Sequence, residues 1–259
     1  MLFDIRGKRK RFIQVIYVFL ALLLGGSLVL FGIGGDAPGG LGDALGIGSN
    51  SNSGGNAEFN DEIDSAEATL AANPKNADAL LALARYNYLN GQQALEVDSE
   101  QGTQVLTDEA VSDFEASVDA WERYLKANKG RPDPSVATLV FRAYSGIALN
   151  SSSPATIQRR LEGAQRAAAV VADERPGPNS YLDLASAAYL AGDTKSADKA
   201  AKRALESVDE ASRSALEDQL KSSERQGKAL QRQLKNLGDG QGSIENPLGA
   251  LEPGSGSGP

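Results

Sequence analysis

Residues 15–35, VIYVFLALLLGGSLVLFGIGG, carry no charge over 21 consecutive positions. Inside hydrocarbon every backbone N–H and C=O must be bonded within its own segment, so a run of this kind has to be helical if it enters a bilayer. At a rise of about 1.5 Å per residue it spans roughly 30 Å, the apolar thickness of a membrane. The segment before it, 1–14, holds Arg6, Lys8, Arg9, Lys10 and Arg11 against Asp4, a net +4 over residues 1–11. Flanking cations of this kind stay on the cytoplasmic side. The expectation is a single membrane-spanning helix at 15–35, with a cytoplasmic N-terminus and the rest of the chain extracytoplasmic. Tyr17 falls at the interface, where amphipathic rings are favoured. A cleaved signal peptide would have an apolar region of about 7–15 residues followed by an A-x-A-like site. Here the small pair Gly35 and Ala37 is followed by Pro38, a poor cleavage position. An uncleaved anchor is therefore the expectation.

The composition removes much of the familiar enzyme chemistry. The 259 residues include no Cys and no His. Disulfides, thiol nucleophiles, Cys/His zinc sites and imidazole acid–base catalysis are all excluded. The net charge is −8, so residues 12–259 sum to −12 once the basic start is set aside. Such a chain repels nucleic acid, and no nucleic-acid partner is expected. No cofactor, metal or small-molecule substrate is expected either.

Residues 36–57, DAPGGLGDALGIGSNSNSGGNA, are rich in Gly, Ser and Asn and read as a flexible linker. Residues 238–259 read as a disordered tail, with Ile244, Pro247, Leu248 and Leu251 as a short apolar piece within it. Between them, apolar residues recur at helical spacing, Ala is abundant, and no period-2 strand stands out. The spacing predicts helices over 58–73, 77–90, 107–128, 135–149, 154–174, 179–191, 194–208 and 210–236. Ser153-Pro154 marks a helix start, with Ser capping and Pro at the first helical position.

Two windows align without gaps: Leu80–Gly91, LLALARYNYLNG, and Tyr181–Gly192, YLDLASAAYLAG. Leu81/Leu182, Leu83/Leu184, Ala84/Ala185, Tyr88/Tyr189, Leu89/Leu190 and Gly91/Gly192 are identical pairs. Each window predicts a helix closed by Gly at the left-handed C′ position. A second set of helices carries spaced Ala: Ala120, Tyr124, Ala127 and Pro132; Ala164, Ala168 and Pro176; Ala197, Ala201, Ala204 and Leu205.

On these residues, 58–208 resembles the tetratricopeptide repeat (TPR) family. There, a first helix with a large residue, Leu and a small residue closes at Gly, and a second helix presents Ala and an aromatic before Pro. The resemblance implies an all-α solenoid of helix pairs with a protein-binding groove. Two departures stand out. Gln92–Leu106 inserts a long segment where a short turn is usual, and the middle window Leu139–Asn150 lacks the closing Gly. Residues 209–237 read as a capping helix over the last pair, with a narrow stripe of Leu216, Leu220, Leu230, Leu234 and Leu237 interrupted at Gly227.

The resemblance implies that the first helices line the groove with Leu81, Arg85, Tyr88, Val140, Tyr144, Leu182, Ser186 and Tyr189. Core packing is the competing role for each of them. The set lacks the Lys/Asn cluster of family members that clamp a terminal carboxylate. Ser196-Ala197-Asp198-Lys199 has the S-x-x-K spacing of serine acyl-enzymes, without the S-D-N or K-T-G elements that accompany it. Asp98, Glu100 and Glu109 are spaced loosely like a calcium loop, but Gly102 is displaced from the sixth position. An acidic solvated loop is expected there. Asn150-Ser151-Ser152 is a formal glycosylation sequon. No catalytic or metal-binding residue is assigned.

The layout is similar to the membrane-anchored ancillary subunits of bacterial protein translocons. It implies a membrane-tethered scaffold or chaperone-like adaptor whose partners are other proteins, such as translocon components or secreted polypeptides. A structural, oligomerising subunit of an envelope complex is the alternative.

Overall fold

A computed structural model describes residues 55–98 and 103–238. The apolar run at 15–35, most of the 36–57 linker and the tail beyond Gly238 lie outside the described residues. Eight helices and one small β-ribbon are described: α1 Gly55–Ala72, α2 Ala77–Gln93, β1 Glu96–Asp98, β2 Thr103–Val105, α3 Asp108–Ala127, α4 Pro134–Ile147, α5 Pro154–Glu174, α6 Pro178–Ala191, α7 Thr194–Glu206 and α8 Glu210–Gly238. The all-α expectation holds, with predicted helix ends within a few residues of those observed.

Short polar side chains set where helices begin. Asn76 accepts from the Ala79 N–H at 3.0 Å, and Thr107 accepts from the Ala110 N–H at 3.0 Å. Asp133 takes the Ser135 N–H at 2.7 Å, ahead of Pro134 at the first helical position. Ser153 and Pro154 start α5 as the sequence predicts. Each cap satisfies donors that a helix N-terminus otherwise leaves bare.

Helices adjacent in sequence pack on one another. The pairs α2–α3, α4–α5 and α6–α7 form the strongest contacts, α1 lies on α2, and α5 joins the last two pairs by packing on α6. α4 also touches α2, so the first helices of these two pairs meet directly. Ala and Gly at the crossings allow close approach. Ala84, Ala110, Ala137, Ala143, Ala167, Ala185, Ala188, Ala197 and Ala204 are all fully buried. Trp121, Leu80, Ile147, Ile157 and Val136 fill the spaces between them. Ser117 is the buried polar side chain of this core, and its hydroxyl donates to the Ala84 carbonyl at 2.6 Å.

The two aligned glycines do different work. Gly192 adopts φ +82° and its N–H returns to the Ala188 and Tyr189 carbonyls, closing α6 as expected. Gly91 does not close α2, which runs on to Gln93. It is a contact glycine: a Cβ there would sit 2.7 Å from the Phe114 ring of α3. In the middle window, which lacks the closing Gly, an arginine finishes the helix. Arg160 of α5 donates to the Ile147 carbonyl at 2.7 Å and to the Asn150 carbonyl at 2.8 Å, and pairs with Glu115 of α3. A cation at bare carbonyls suits the negative end of α4.

The acidic insertion is not a loop throughout. β1 and β2 form an antiparallel ribbon in the register Glu96↔Val105, Val97↔Gln104 and Asp98↔Thr103. Leu95 and Leu106 anchor its base on the main core, and the Thr107 hydroxyl donates to the Ala94 carbonyl at 2.8 Å. Three residues per strand are too few for alternation to be visible against the helical background.

α8 packs on α6 and also reaches α5 and α7. Leu216 and Leu220 join a cluster with Ala185, Ala188 and Tyr189. Leu230 and Leu234 join another with Ala148, Ile157, Leu161 and Ala191. The gap in the leucine stripe has a steric cause. At Gly227 the helix crosses α6 so closely that a methyl group would run into the Tyr189 carbonyl.

Candidate functional site

The eight residues assigned to a groove separate into three environments. Tyr88, Val140, Tyr144 and Tyr189 are buried, each with no more than 8% of its surface exposed. Ser186 is half-buried and shares a hydrogen bond with Ser223 of α8 at 2.9 Å. Leu81, Arg85 and Leu182 reach solvent in part. A continuous aromatic stripe on the surface is therefore absent at these positions. The tyrosines are large, and each finds apolar packing for its ring and a polar partner for its hydroxyl inside the helix stack.

The partners are specific. The Tyr88 ring lies against Phe114 with centroids 5.6 Å apart, and its hydroxyl neighbours the Arg142 guanidinium of α4. Burial raises the Tyr88 pKa, opposed by the nearby guanidinium. The Tyr144 ring covers Gly163, and its hydroxyl donates to Glu122 at 2.8 Å. Glu122 in turn pairs with Arg166 of α5 at 2.9 Å. Tyr189 donates to Asp198 of α7 at 2.8 Å. Burial, followed by the hydrogen bond to a carboxylate, raises the pKa of both Tyr144 and Tyr189.

What α2, α4 and α6 do share is a polar line that includes two residues outside the predicted set. Arg142 acts electrostatically on both the Tyr88 hydroxyl of α2 and Asp183 of α6. Asp183 has its pKa pushed up to about 6, chiefly by desolvation and against the pull of Arg142. Its side chain still reaches solvent, so water screens part of that effect and the solution shift is smaller. Leu81 and Arg85 share a face of α2 with Tyr88, at i, i+4 and i+7, and Leu182 adjoins Asp183 on α6. The signal for the missed pair is a lone charge in an apolar helix. Arg142 is the single charged residue of α4, and Asp183 the single charged residue of α6.

A concavity lies between α3, α4 and α5. Its volume is about 300 Å³, and it is lined by Trp121, Leu125, Tyr144 and Gly163, with Glu122, Lys126 and Arg166 around it. Nothing in the spacing of these residues on three helices marks it in the sequence.

The S-x-x-K serine has a structural role. The Ser196 N–H donates to Asp193, the residue that caps α7, at 3.1 Å, and Gln165 of α5 donates to the same carboxylate at 2.8 Å. Ser196, through its hydroxyl first and its N–H second, and then Gln165 hold the Asp193 carboxyl below its usual range. Lys199 is exposed. Among the described residues no group of three or more His, Cys, Asp and Glu could hold a metal ion, and no helix is long and apolar enough to cross a membrane.

Comparison with known protein families, with curated proteins and with solved structures finds no match to this chain.

Proposed function

We propose that this chain is a membrane-tethered adaptor that binds other polypeptides on a face shared by α2, α4 and α6. The observation that carries the proposal is the line from Tyr88 through Arg142 to Asp183, flanked by the partly exposed Leu81, Arg85 and Leu182. A surface with apolar patches and charges of both signs suits a peptide docked by side-chain contacts. The stacked helix pairs and the sequence likeness of their first helices support a TPR-like solenoid as its frame. The apolar run 15–35 behind a +4 cluster supports one membrane anchor, with the helical domain outside the cytoplasm. Substrate chemistry plays no part in this proposal, because the best enzyme-like motif is occupied as a helix cap.

The alternative role as an oligomerising subunit finds no support in α8. Leu216, Leu220, Leu230 and Leu234 are already buried against the chain's own helices.

The test uses the full chain in its native membrane, with a photo-crosslinking residue at position 81 or 182 and a control at 199. Polypeptide adducts at 81 and 182 but not at 199 are expected. Arg142→Ala with Leu81→Ala should weaken capture at least tenfold, about 1.4 kcal/mol, with helicity unchanged. Equal adducts at all three positions would sink the proposal. Protease added to right-side-out vesicles should digest the helical domain, and full protection would reverse the orientation.

A further inference from the structure

The ribbon β1–β2 stands apart from the helices it interrupts. Its strands pair with each other, and only its base, through Leu95 and Leu106, joins the core. A two-stranded ribbon leaves a row of unpaired N–H and C=O groups on each outer edge, which is a template for another strand. Val97 lies at the centre of β1 with 64% of its surface exposed, the large hydrophobic that stands out as uncovered among the described residues. Short edge strands are usually protected by a charge, a proline or a covering loop. Here the charge beside Val97 has one sign only.

From Tyr86 to Glu122 the chain holds nine carboxylates and no Lys or Arg. Two of them, Glu115 and Glu122, are paired with arginines of α5. Glu96, Asp108 and Glu109, beside the ribbon and at the start of the helix that follows, are exposed. Crowding of this kind raises the pKa of Asp113, through burial first and Glu109 second.

We propose that the ribbon edge is a second polypeptide-binding site, distinct from the α2–α4–α6 face, and that it adds an extended, basic segment of a partner protein as a third strand. Backbone hydrogen bonds would supply affinity, and an apolar side chain over Val97 with Lys or Arg beside Glu96 would supply selectivity. Two other occupants fit less well. A second copy of the ribbon would place carboxylates opposite carboxylates, which destabilises a strand pair. The chain's own basic segment, residues 1–11, lies across the bilayer if the anchor spans it as proposed.

The test uses the full chain in lipid nanodiscs and three synthetic peptides: alternating Lys-Val, alternating Glu-Val, and the Lys-Val sequence N-methylated at alternate residues. The Lys-Val peptide should bind. Its N-methylated form, which has lost the donors along one edge, should bind at least tenfold more weakly, and Glu-Val should not bind. Val97→Gln should weaken Lys-Val binding severalfold, and Glu96→Lys with Asp98→Lys should transfer the preference to Glu-Val. Arg142→Ala should leave all of this unchanged, which separates failure here from failure of the face on α2, α4 and α6. Equal binding of the methylated peptide, or binding untouched by the charge reversal, would overturn the proposal. So would a disulfide formed between two chains in a Val97→Cys variant at the expense of peptide binding, because the occupant would then be a second copy.

Discussion

Gly227 shows how one missing side chain decides a helix crossing. In an ordinary helix, Gly→Ala stabilises by roughly 0.5–1 kcal/mol because Gly has more backbone freedom to lose. At Gly227 a methyl group would meet the Tyr189 carbonyl, which is backbone and cannot swing aside. Gly227→Ala should therefore destabilise, by about 1–3 kcal/mol as overpacking does, and Gly177→Ala at an open site should not. Thermal melts of the two variants check the sign. Asp183 provides a residue-scale dependence on pH. A carboxyl whose pKa is raised on folding takes up a proton in the folded state between its unfolded and folded values. Stability should thus fall as pH rises from about 4 toward 7, the window between an ordinary carboxyl and the value near 6. Asp183→Asn should flatten that slope and raise the melting temperature at pH 7. An unchanged pH profile would mean that water screens the carboxyl fully. At this scale the sequence was only partly legible. Tyr88, Tyr144 and Tyr189 recur at similar helical positions, but recurrence marks a shared face and does not say whether that face is covered.

Element by element, the helices were legible because their signals are local. Asn76, Thr107, Asp133, Ser153 and Asp193 all cap through their own side chains, and Pro134, Pro154 and Pro178 stand at helix starts. The aligned leucines part ways once packing is known. Leu83 has 6% of its surface exposed, whereas Leu184 is only half-buried. Leu83→Ala should cost about 2–5 kcal/mol, Leu184→Ala visibly less, and Lys199→Ala close to nothing. Equal losses at both leucines in denaturant titrations would mean that the two aligned windows bury them alike. The C-terminus of α4 depends on a residue from another helix. Arg160→Met keeps most of the stem and removes the donors, so it should free the α4 carbonyls and the Glu115 carboxylate together. A cost of roughly 1–3 kcal/mol is expected, measured by the same titration.

For the whole molecule, α8 decides how the stack ends. Without it, Tyr189, Ala188, Leu190 and Ala191 would lose the cover that Leu216, Leu220, Leu230 and Leu234 provide. A chain stopped after Val208 should lose more helicity than the removed residues account for and should associate through α6. Circular dichroism with size measurement checks both, and a monomer with intact α6–α7 melting would show that the cap is dispensable. The sequence by itself determined the all-α class and the order and ends of the helices, because caps, proline positions and apolar spacing act within a few residues, and its lack of Cys and His removed thiol and imidazole chemistry. The tertiary structure alone decided which of the repeated side chains face water. It buried three tyrosines against Phe114, Gly163 and Gly227, turned Gly91 from a helix end into a contact, and brought Arg142 toward Asp183 from a different helix. Those outcomes depend on how closely helices distant in sequence approach one another, and that distance is set by the small residues on both partners at once.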